Sequence, residues 1–321
     1  MFRHAILAEV LRVNAMTETV RTTAERIRRL EVQGARNVAI AAIKAVESVA
    51  KETTAKTREA FVQQLSEAKA LLFAARETEP LMRNAVRWII SQVEDSDERS
   101  VGELAALVSS SSRNFQKNLE ASKERIAEIG AKRVREGCVI LTHCHSSTVT
   151  YLLSRAKKEG RAFEVICTET RPAFQGRISA REMLALGVKT TFIVDSAARS
   201  FINNVNLVIV GADAITSEGN VVNKIGTGAI ALLAREARKP FYVVSELLKF
   251  DPATLYGEYE KIEERSRDEV WKEAPAQLCV RNPAFDVTPR DFIHGIICEE
   301  GIVSPHSVAE VMHRRYPWVF H

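Results

Sequence analysis

CVILTHCHSSTVTYLLSRAKKEG, residues 138–160, decides the fold. It opens on Cys138-Val139-Ile140-Leu141, a short apolar run with β-branched residues, the texture of a buried strand. It turns polar through Thr142-His143-Cys144-His145-Ser146-Ser147-Thr148. Apolar residues then recur every three or four positions at Val149, Leu152, Leu153 and Ala156, and Gly160 follows as glycines do after helices. A strand, a polar corner and a helix in immediate succession are the first half of a βαβ unit, and that unit builds parallel sheets.

The same alternation continues downstream. The runs FEVICTET, KTTFIVDS, NLVIVGAD and PFYVVSE read as strands, and SAREMLALG and GTGAIALLAREARK as helices. The expected fold class is α/β: a Rossmann-like, mostly parallel sheet with helices on both faces. Upstream the pattern is helical throughout, with Pro80 the only proline in the first ~125 residues. VRTTAERIRRLEVQG and GARNVAIAAIKAVESVAKET carry the helical period, and Gly34 separates them. The expected domains are a helical one over 1–125 and a Rossmann-like α/β catalytic one over 126–321. The acidic run EDSDER, residues 94–99, reads as a solvated loop.

Composition narrows the function. Of 321 residues 46% are apolar and 27% charged, as in soluble globular proteins, and the net charge of +4 gives no argument for nucleic acid. The cysteines at 138, 144, 167, 279 and 298 are odd in number and form no CxxC, so neither a disulfide framework nor a zinc knuckle is expected. A reducing, cytoplasmic location fits them. The opening MFRHAILAEVLRVNAM is broken by Arg3, His4, Glu9 and Arg12 and is too short to span a membrane. No GxGxxG follows the first strand, which argues against a nicotinamide cofactor.

Ligands of open α/β sheets bind beyond the carboxyl ends of the strands. There, Cys144 stands between two imidazoles at a helix start, a setting that lowers a thiol pKa and makes it a candidate base or nucleophile. A buried structural cysteine, or a metal site on His143 and His145, are the alternatives. Asp213 ends the fourth strand and completes an acid/base pair, unless it only caps a turn. Asn223 and Lys224 precede Gly226-Thr227-Gly228 and a helix, an arrangement suited to phosphate. Arg171 and Arg177 flank the turn after the second strand, and Lys249 follows the fifth. The residues alone describe a multiply anionic small ligand held beside a thiol and a carboxylate.

THCHSS, TETRPAFQGR, VIVGADAI and NKIGTGAIA stand in the order found in the family of initiation factor 2B alpha, beta and delta subunits. That family also holds two isomerases, of 5-methylthioribose 1-phosphate and of ribose 1,5-bisphosphate. The chain resembles this family from about Gln33 to Pro305, and NPAFDVTPRDFIHGIICEEGIVSP resembles the bisphosphate enzymes. The resemblance implies catalysis by Cys144 and Asp213, a pair that the non-catalytic subunits typically lack. The thiolate would take the proton from carbon 2 and Asp213 would protonate carbon 1, through a cis-phosphoenolate. It implies phosphate binding by Ser146, Ser147, Thr148, Asn223, Lys224 and Lys249, by the turn Gln33, Gly34, Ala35 and Arg36, and by Arg76. The isomerases read Arg-Gly-Ala-Gly at that turn, so here the first arginine is lost and Arg36 is gained. The resemblance further implies a phosphorylated ribose substrate, a homo-oligomer of dimers assembled into hexamers, AMP as activator, a place in nucleotide (AMP) salvage, and no metal or organic cofactor. The expected alternatives are the methylthioribose-1-phosphate reaction and a regulatory subunit without catalysis.

Overall fold

The computed structural model describes residues 18–76, 78–258 and 261–320. The opening segment MFRHAILAEVLRVNAM lies outside them. The chain divides into two compact units, Met1–Glu120 and Ala121–His321.

The first unit is helical. Helix α1 is described over 18–28, followed by α2 (Ala35–Glu52), α3 (Arg58–Ala75) and α4 (Pro80–Glu94). Helix α5 (Val101–Ala131) starts in this unit, and the division falls within it. Local chemistry sets the boundaries. Gly34, at φ 84°, precedes α2, Thr57 caps α3 by accepting from the Ala60 amide at 3.2 Å, and Pro80 begins α4. The apolar stripes meet in a core that includes Ile43, Phe61, Leu65, Leu81 and Ile89, all fully buried. The acidic loop after α4 is mostly exposed, and Arg58 anchors it by donating to the carbonyls of Ser96 and Glu98 at 2.6 Å.

The second unit holds the sheet. Its strands are β1 (Cys138–Thr142), β2 (Phe163–Thr168), β3 (Lys189–Ile193), β4 (Leu207–Val210), β7 (Phe241–Val244), β9 (Gly295–Cys298) and β10 (Gly301–Val303), in the spatial order β10-β9-β7-β4-β1-β2-β3. All pairs are parallel except β9 with the edge strand β10. The helices between them are α6 (Ser147–Lys158), α7 (Gly176–Ala185), the short α8 (Ala198–Phe201) and α9 (Thr227–Glu236). A single turn, α10 (Asp268–Trp271), and the C-terminal α11 (Val308–Arg315) complete the helices. The α/β class and all five expected strands are present.

A second sheet was not among the expected elements. Val221–Lys224, just ahead of Gly226-Thr227-Gly228, is strand β6 of this antiparallel sheet, with β5 (Ala214–Ile215) and β8 (Phe285–Thr288). Val221 and Val222 are fully buried there, and the β-branched pair gains more from that cover than from an open loop.

The order of the main sheet fixes where chemistry belongs. From β1 the chain builds outward through β2 and β3, then returns to the other side of β1 and builds through β4, β7 and β9. The reversal point lies between β1 and β4, whose loops must separate and leave a crevice at their carboxyl ends.

Candidate active site

Cys144 lies just past β1 and Asp213 just past β4, so topology places both at this switch point. Close packing of the two loops follows from Gly211: a Cβ added there would meet the Ser146 Cβ at 2.8 Å. Cys144 is half-buried and holds left-handed backbone, φ 67°, unusual for a residue with a side chain. Two hydroxyls hold it there. Its amide donates to Thr170 Oγ1 at 2.9 Å, and its carbonyl accepts from Ser179 Oγ at 2.9 Å.

The thiol's electrostatics differ from the sequence expectation. Burial pushes the Cys144 thiol up, to about 12, and the Asp213 and Asp195 charges push the same way, whereas Lys224 and the His145 amide pull it down. In this structure Cys144 is therefore a neutral thiol, not the low-pKa thiolate expected. The imidazoles do not help because both are engaged elsewhere. His143 is buried between Thr168 Oγ1, 2.6 Å from Nδ1, and the Ile225 carbonyl, 2.8 Å from Nε2. A carbonyl only accepts, so Nε2 carries the proton and Nδ1 receives the threonine hydroxyl. Burial holds His143 below the usual histidine range, hence neutral. His145 Nε2 lies 3.0 Å from Glu182 Oε2 on α7, which also accepts from Thr150 at 2.8 Å. Among the described residues no group of three or more His, Cys, Asp or Glu side chains could hold a metal.

His143 has a positioning role that the sequence did not show. Its bond to Ile225 brings the turn after β6 to the end of β1, and Gly226 (φ 101°) makes room: a Cβ there would lie 3.1 Å from His143 Nε2. Lys224, beside Ile225, is thereby close enough for its charge to reach the Cys144 thiol. Its ammonium is buried and lies 4.7 Å over the Phe285 ring. Asn223 is buried and donates to Thr227 Oγ1 at 3.0 Å.

The two helix starts expected to hold phosphate have different surroundings. At α9 the amides of Gly226 and Gly228 donate to the Asp286 carboxylate at 2.8 and 3.1 Å. An anion already fills that terminus, which removes the expected phosphate role of the α9 start. At α6, Ser146 Oγ caps the helix by accepting from the Val149 amide at 3.4 Å, with Ser147 and Thr148 in the first turn. This terminus opens from the β1 end beside Cys144 and has the geometry for an anion.

The remaining residues are placed as follows. Arg171 and Arg177 are exposed, and their guanidinium carbons lie 5.0 and 3.8 Å from the Phe174 ring centroid. Lys249 is buried and donates to the Ala212 carbonyl at 2.8 Å, with Glu246 Oε2 at 3.5 Å. Gln33, Gly34, Ala35, Arg36 and Arg76 belong to the helical unit. There Arg36 is buried and donates to the Leu119 carbonyl at 2.8 Å and to the Glu120 carboxylate. Gln33 donates to the Leu30 carbonyl at 2.9 Å, and Arg76 pairs with the buried Glu79 at 2.8 Å. Sequence reasoning missed Thr168, Thr170, Ser179 and Asp195. Thr170, at a strand end beside Arg171, carried a readable signal; Ser179 inside a helix carried none.

A Rossmann-like sheet with a thiol and a carboxylate at its switch point, attended by a buried lysine and the start of α6, defines an α/β protein whose candidate site lies at the carboxyl ends of its strands. The chain belongs to the Initiation factor 2 subunit family, whose family model matches residues 31–305. It is 41% identical over 300 residues to the ribose 1,5-bisphosphate isomerase of Archaeoglobus fulgidus, covering 93% of this chain and 94% of that one. It is 36% identical over 298 residues to the methylthioribose-1-phosphate isomerase of Pelotomaculum thermopropionicum, covering 88% and 82%. Among solved structures, the translation initiation factor eIF-2B of Pyrococcus horikoshii OT3 superposes with a TM-score of 0.77 at 31% identity, covering 89% of this chain and 97% of that one.

Proposed function

We propose that this chain is an aldose–ketose isomerase that converts α-ribose 1,5-bisphosphate to ribulose 1,5-bisphosphate, with Cys144 and Asp213 moving the protons. The observation that carries the reading is the pair itself: a thiol and a carboxylate from opposite sides of the switch point, with the thiol within reach of the charges of both Asp213 and Lys224. The 41% identical relative named for that substrate supports it.

In this structure the sulfur carries a proton. The roles taken from the family need a thiolate at Cys144 and an acid at Asp213, and the Lys224 charge favours that thiolate. Asp213 then gives its proton to the ring oxygen as the C1–O bond opens. The thiolate takes the carbon 2 proton, leaving the phosphoenolate. Return of one proton to carbon 1, with loss of another from the carbon 2 hydroxyl, gives the ketone.

Phosphate contacts fall to Ser146, Ser147 and Thr148 at the α6 start and to Asn223 and Lys224, with Arg171 and Arg177 for a second phosphate. The wealth of cations favours two phosphates over one phosphate and a thioether. From the family the reading also takes a homo-oligomer, activation by AMP, a role in AMP salvage and a cytoplasmic place. Among the described residues no helix is long and apolar enough to cross a membrane.

The test is to incubate purified protein with ribose 1,5-bisphosphate and follow ribulose 1,5-bisphosphate by phosphorus NMR. Turnover is expected, falling by ~10²–10⁴ in Cys144→Ser and in Asp213→Asn while the circular dichroism spectrum stays unchanged. Turnover of methylthioribose 1-phosphate alone would reassign the substrate, and normal rates in either variant would remove the mechanism.

A further inference from the structure

We infer that Asp286 is a positioning residue: from β8 it grips the backbone amides of the turn after β6 and thereby holds the Lys224 ammonium where it serves both the Cys144 thiol and a substrate phosphate. The inference rests on the function proposed above and adds to it.

Strand β8 pairs with β6 so that Phe285 stands opposite Lys224 and Asp286 opposite Asn223. Successive residues of a strand point to opposite faces, so the two neighbours do different work. The Phe285 ring lies against Lys224, whose ammonium is 4.7 Å from the ring centroid. Asp286 reaches past the end of β6 instead. Its Oδ2 accepts from the Gly226 amide at 2.8 Å, and both of its oxygens accept from the Gly228 amide at 3.1 Å. Adding a Cβ to Gly228 would bring it within 3.5 Å of the carboxylate, so the turn and the acid are closely packed.

The other side of the turn is held from β1. His143 Nε2 donates to the Ile225 carbonyl at 2.8 Å, and the Ile225 amide donates to the Ala284 carbonyl at 3.0 Å. Thr227 Oγ1 donates to the Lys224 carbonyl at 2.6 Å. Lys224 is thus anchored through the four residues that follow it, with Asp286 gripping two of them. Lys224 pulls the thiol pKa down, and the charges of Asp213 and Asp195 push it up. Burial raises the Asp286 carboxyl from its ordinary value, and the amides of Gly228 and Gly226 oppose that rise. Lys224 acts on the thiol across space, whereas Asp286 acts through the backbone that carries Lys224.

Two readouts on the full-length chain test this. The first is the rate of Cys144 alkylation by iodoacetamide at pH 9, followed by mass spectrometry of its own peptide. Asp286→Asn keeps the side chain's size but turns one acceptor into a donor, which must release an amide. Asp286→Glu keeps the charge and displaces it by one methylene. In both variants the turn shifts, the ammonium withdraws from the thiol, and alkylation is expected to slow by ~3–10-fold. A direct charge effect would instead speed the reaction in Asp286→Asn and leave Asp286→Glu as wild type. That pattern, or no change in either variant, overturns the inference. In a Lys224→Met background Asp286→Asn is expected to slow alkylation no further, because the ammonium is already gone; an undiminished second loss would route the effect elsewhere and end the proposal. The second readout is kinetic: both variants are expected to raise KM and to lower kcat, each by ~tenfold. A lower urea midpoint with KM and kcat as in wild type would make Asp286 a helix cap alone and end the proposal. If the wild-type chain turns over no ribose phosphate, the proposed function fails, while alkylation still decides the positioning. Should Asp286→Asn not fold, Asp286→Glu decides by the same criteria.

Discussion

The Cys144 amide donates to the Thr170 hydroxyl at 2.9 Å, and both residues hold left-handed backbone, at φ 67° and 62°. Neither residue adopts that region cheaply, and a β-branched threonine least of all. The two corners, at the ends of the adjacent parallel strands β1 and β2, brace each other. Thr170 is fixed in turn by its amide, which donates to Asp195 Oδ1 at 2.8 Å. A strained cysteine backbone kept in place by a neighbouring strand end is what a precisely aimed sulfur requires.

Thr170→Val therefore tests aim separately from packing. The branched shape stays and the acceptor goes. Leaving the Cys144 amide without its partner is expected to cost ~1–3 kcal/mol in urea unfolding. Rotation of the Cys144 corner is expected to lower kcat by ~10²-fold. A stability loss without a kinetic loss would show that the hydroxyl only holds the loop.

The thiol's raised pKa gives a second prediction with a definite sign. A thiol at about 12 is almost wholly protonated at neutral pH, with a thiolate fraction near ~10⁻⁵. The Cys144 peptide is expected to react with iodoacetamide at pH 8 at least ~100-fold more slowly than free cysteine, and the rate is expected to climb about tenfold per pH unit. Asp213→Asn removes a charge that raises the pKa and speeds the reaction; Lys224→Met removes one that lowers it and slows the reaction. Fast alkylation of wild type at pH 7 would contradict the half-buried, neutral thiol.

The reach and limits of the sequence show in particular elements. β1, β2, β3, β4 and β7 were legible because each is a short apolar run bounded by polar or glycine-bearing corners, a purely local signal. β6 was not: it is two valines between polar residues, and its partner β8 joins it from far along the chain, with Val222 opposite Val287. The same distance hid the state of the α9 start. Gly226-Thr227-Gly228 resembles an anion cradle in sequence, but Asp286 of β8 supplies the anion. At Cys144 the neighbours' identities were readable and their directions were not. His143 turns to Thr168 and Ile225, and His145 to Glu182, so the expected pull on the thiol does not arise.

Glu299 supplies a pH-dependent stability. Burial pushes its carboxyl up to about 7, against an ordinary value of 4.5, and the Glu246 charge pushes the same way, while the Tyr316 hydroxyl and Leu247 amide oppose them. Between those two pH values the folded chain keeps a proton that the unfolded chain releases. The stabilisation is thus complete below about pH 4.5 and is lost as pH rises through 7, on the order of 3 kcal/mol in all. Glu299→Gln, which imitates the protonated form, is expected to flatten the urea midpoint across this window and to exceed wild type at pH 8. A wild-type curve that rises from pH 5 to 7 by the same route would refute the assignment.

Gly211 links the two sides of the crevice by what it lacks. A Cβ there would stand 2.8 Å from the Ser146 Cβ and 2.9 Å from its Oγ, so one of the two loops must move. Gly211 is absent from the positive-φ positions, which leaves its backbone acceptable to alanine and confines the strain to this contact. Gly211→Ala is expected to push Ser146 off the Val149 amide, a lost cap of ~1 kcal/mol, and to open the anion-holding first turn of α6. The distinctive outcome is in binding: KM for the phosphorylated substrate and the inhibition constant for inorganic phosphate should rise together, about tenfold, because both depend on the α6 start. If KM rises while phosphate inhibition stays as in wild type, the helix start does not hold the phosphate, and Lys224 with the Arg171 and Arg177 turn must do so instead.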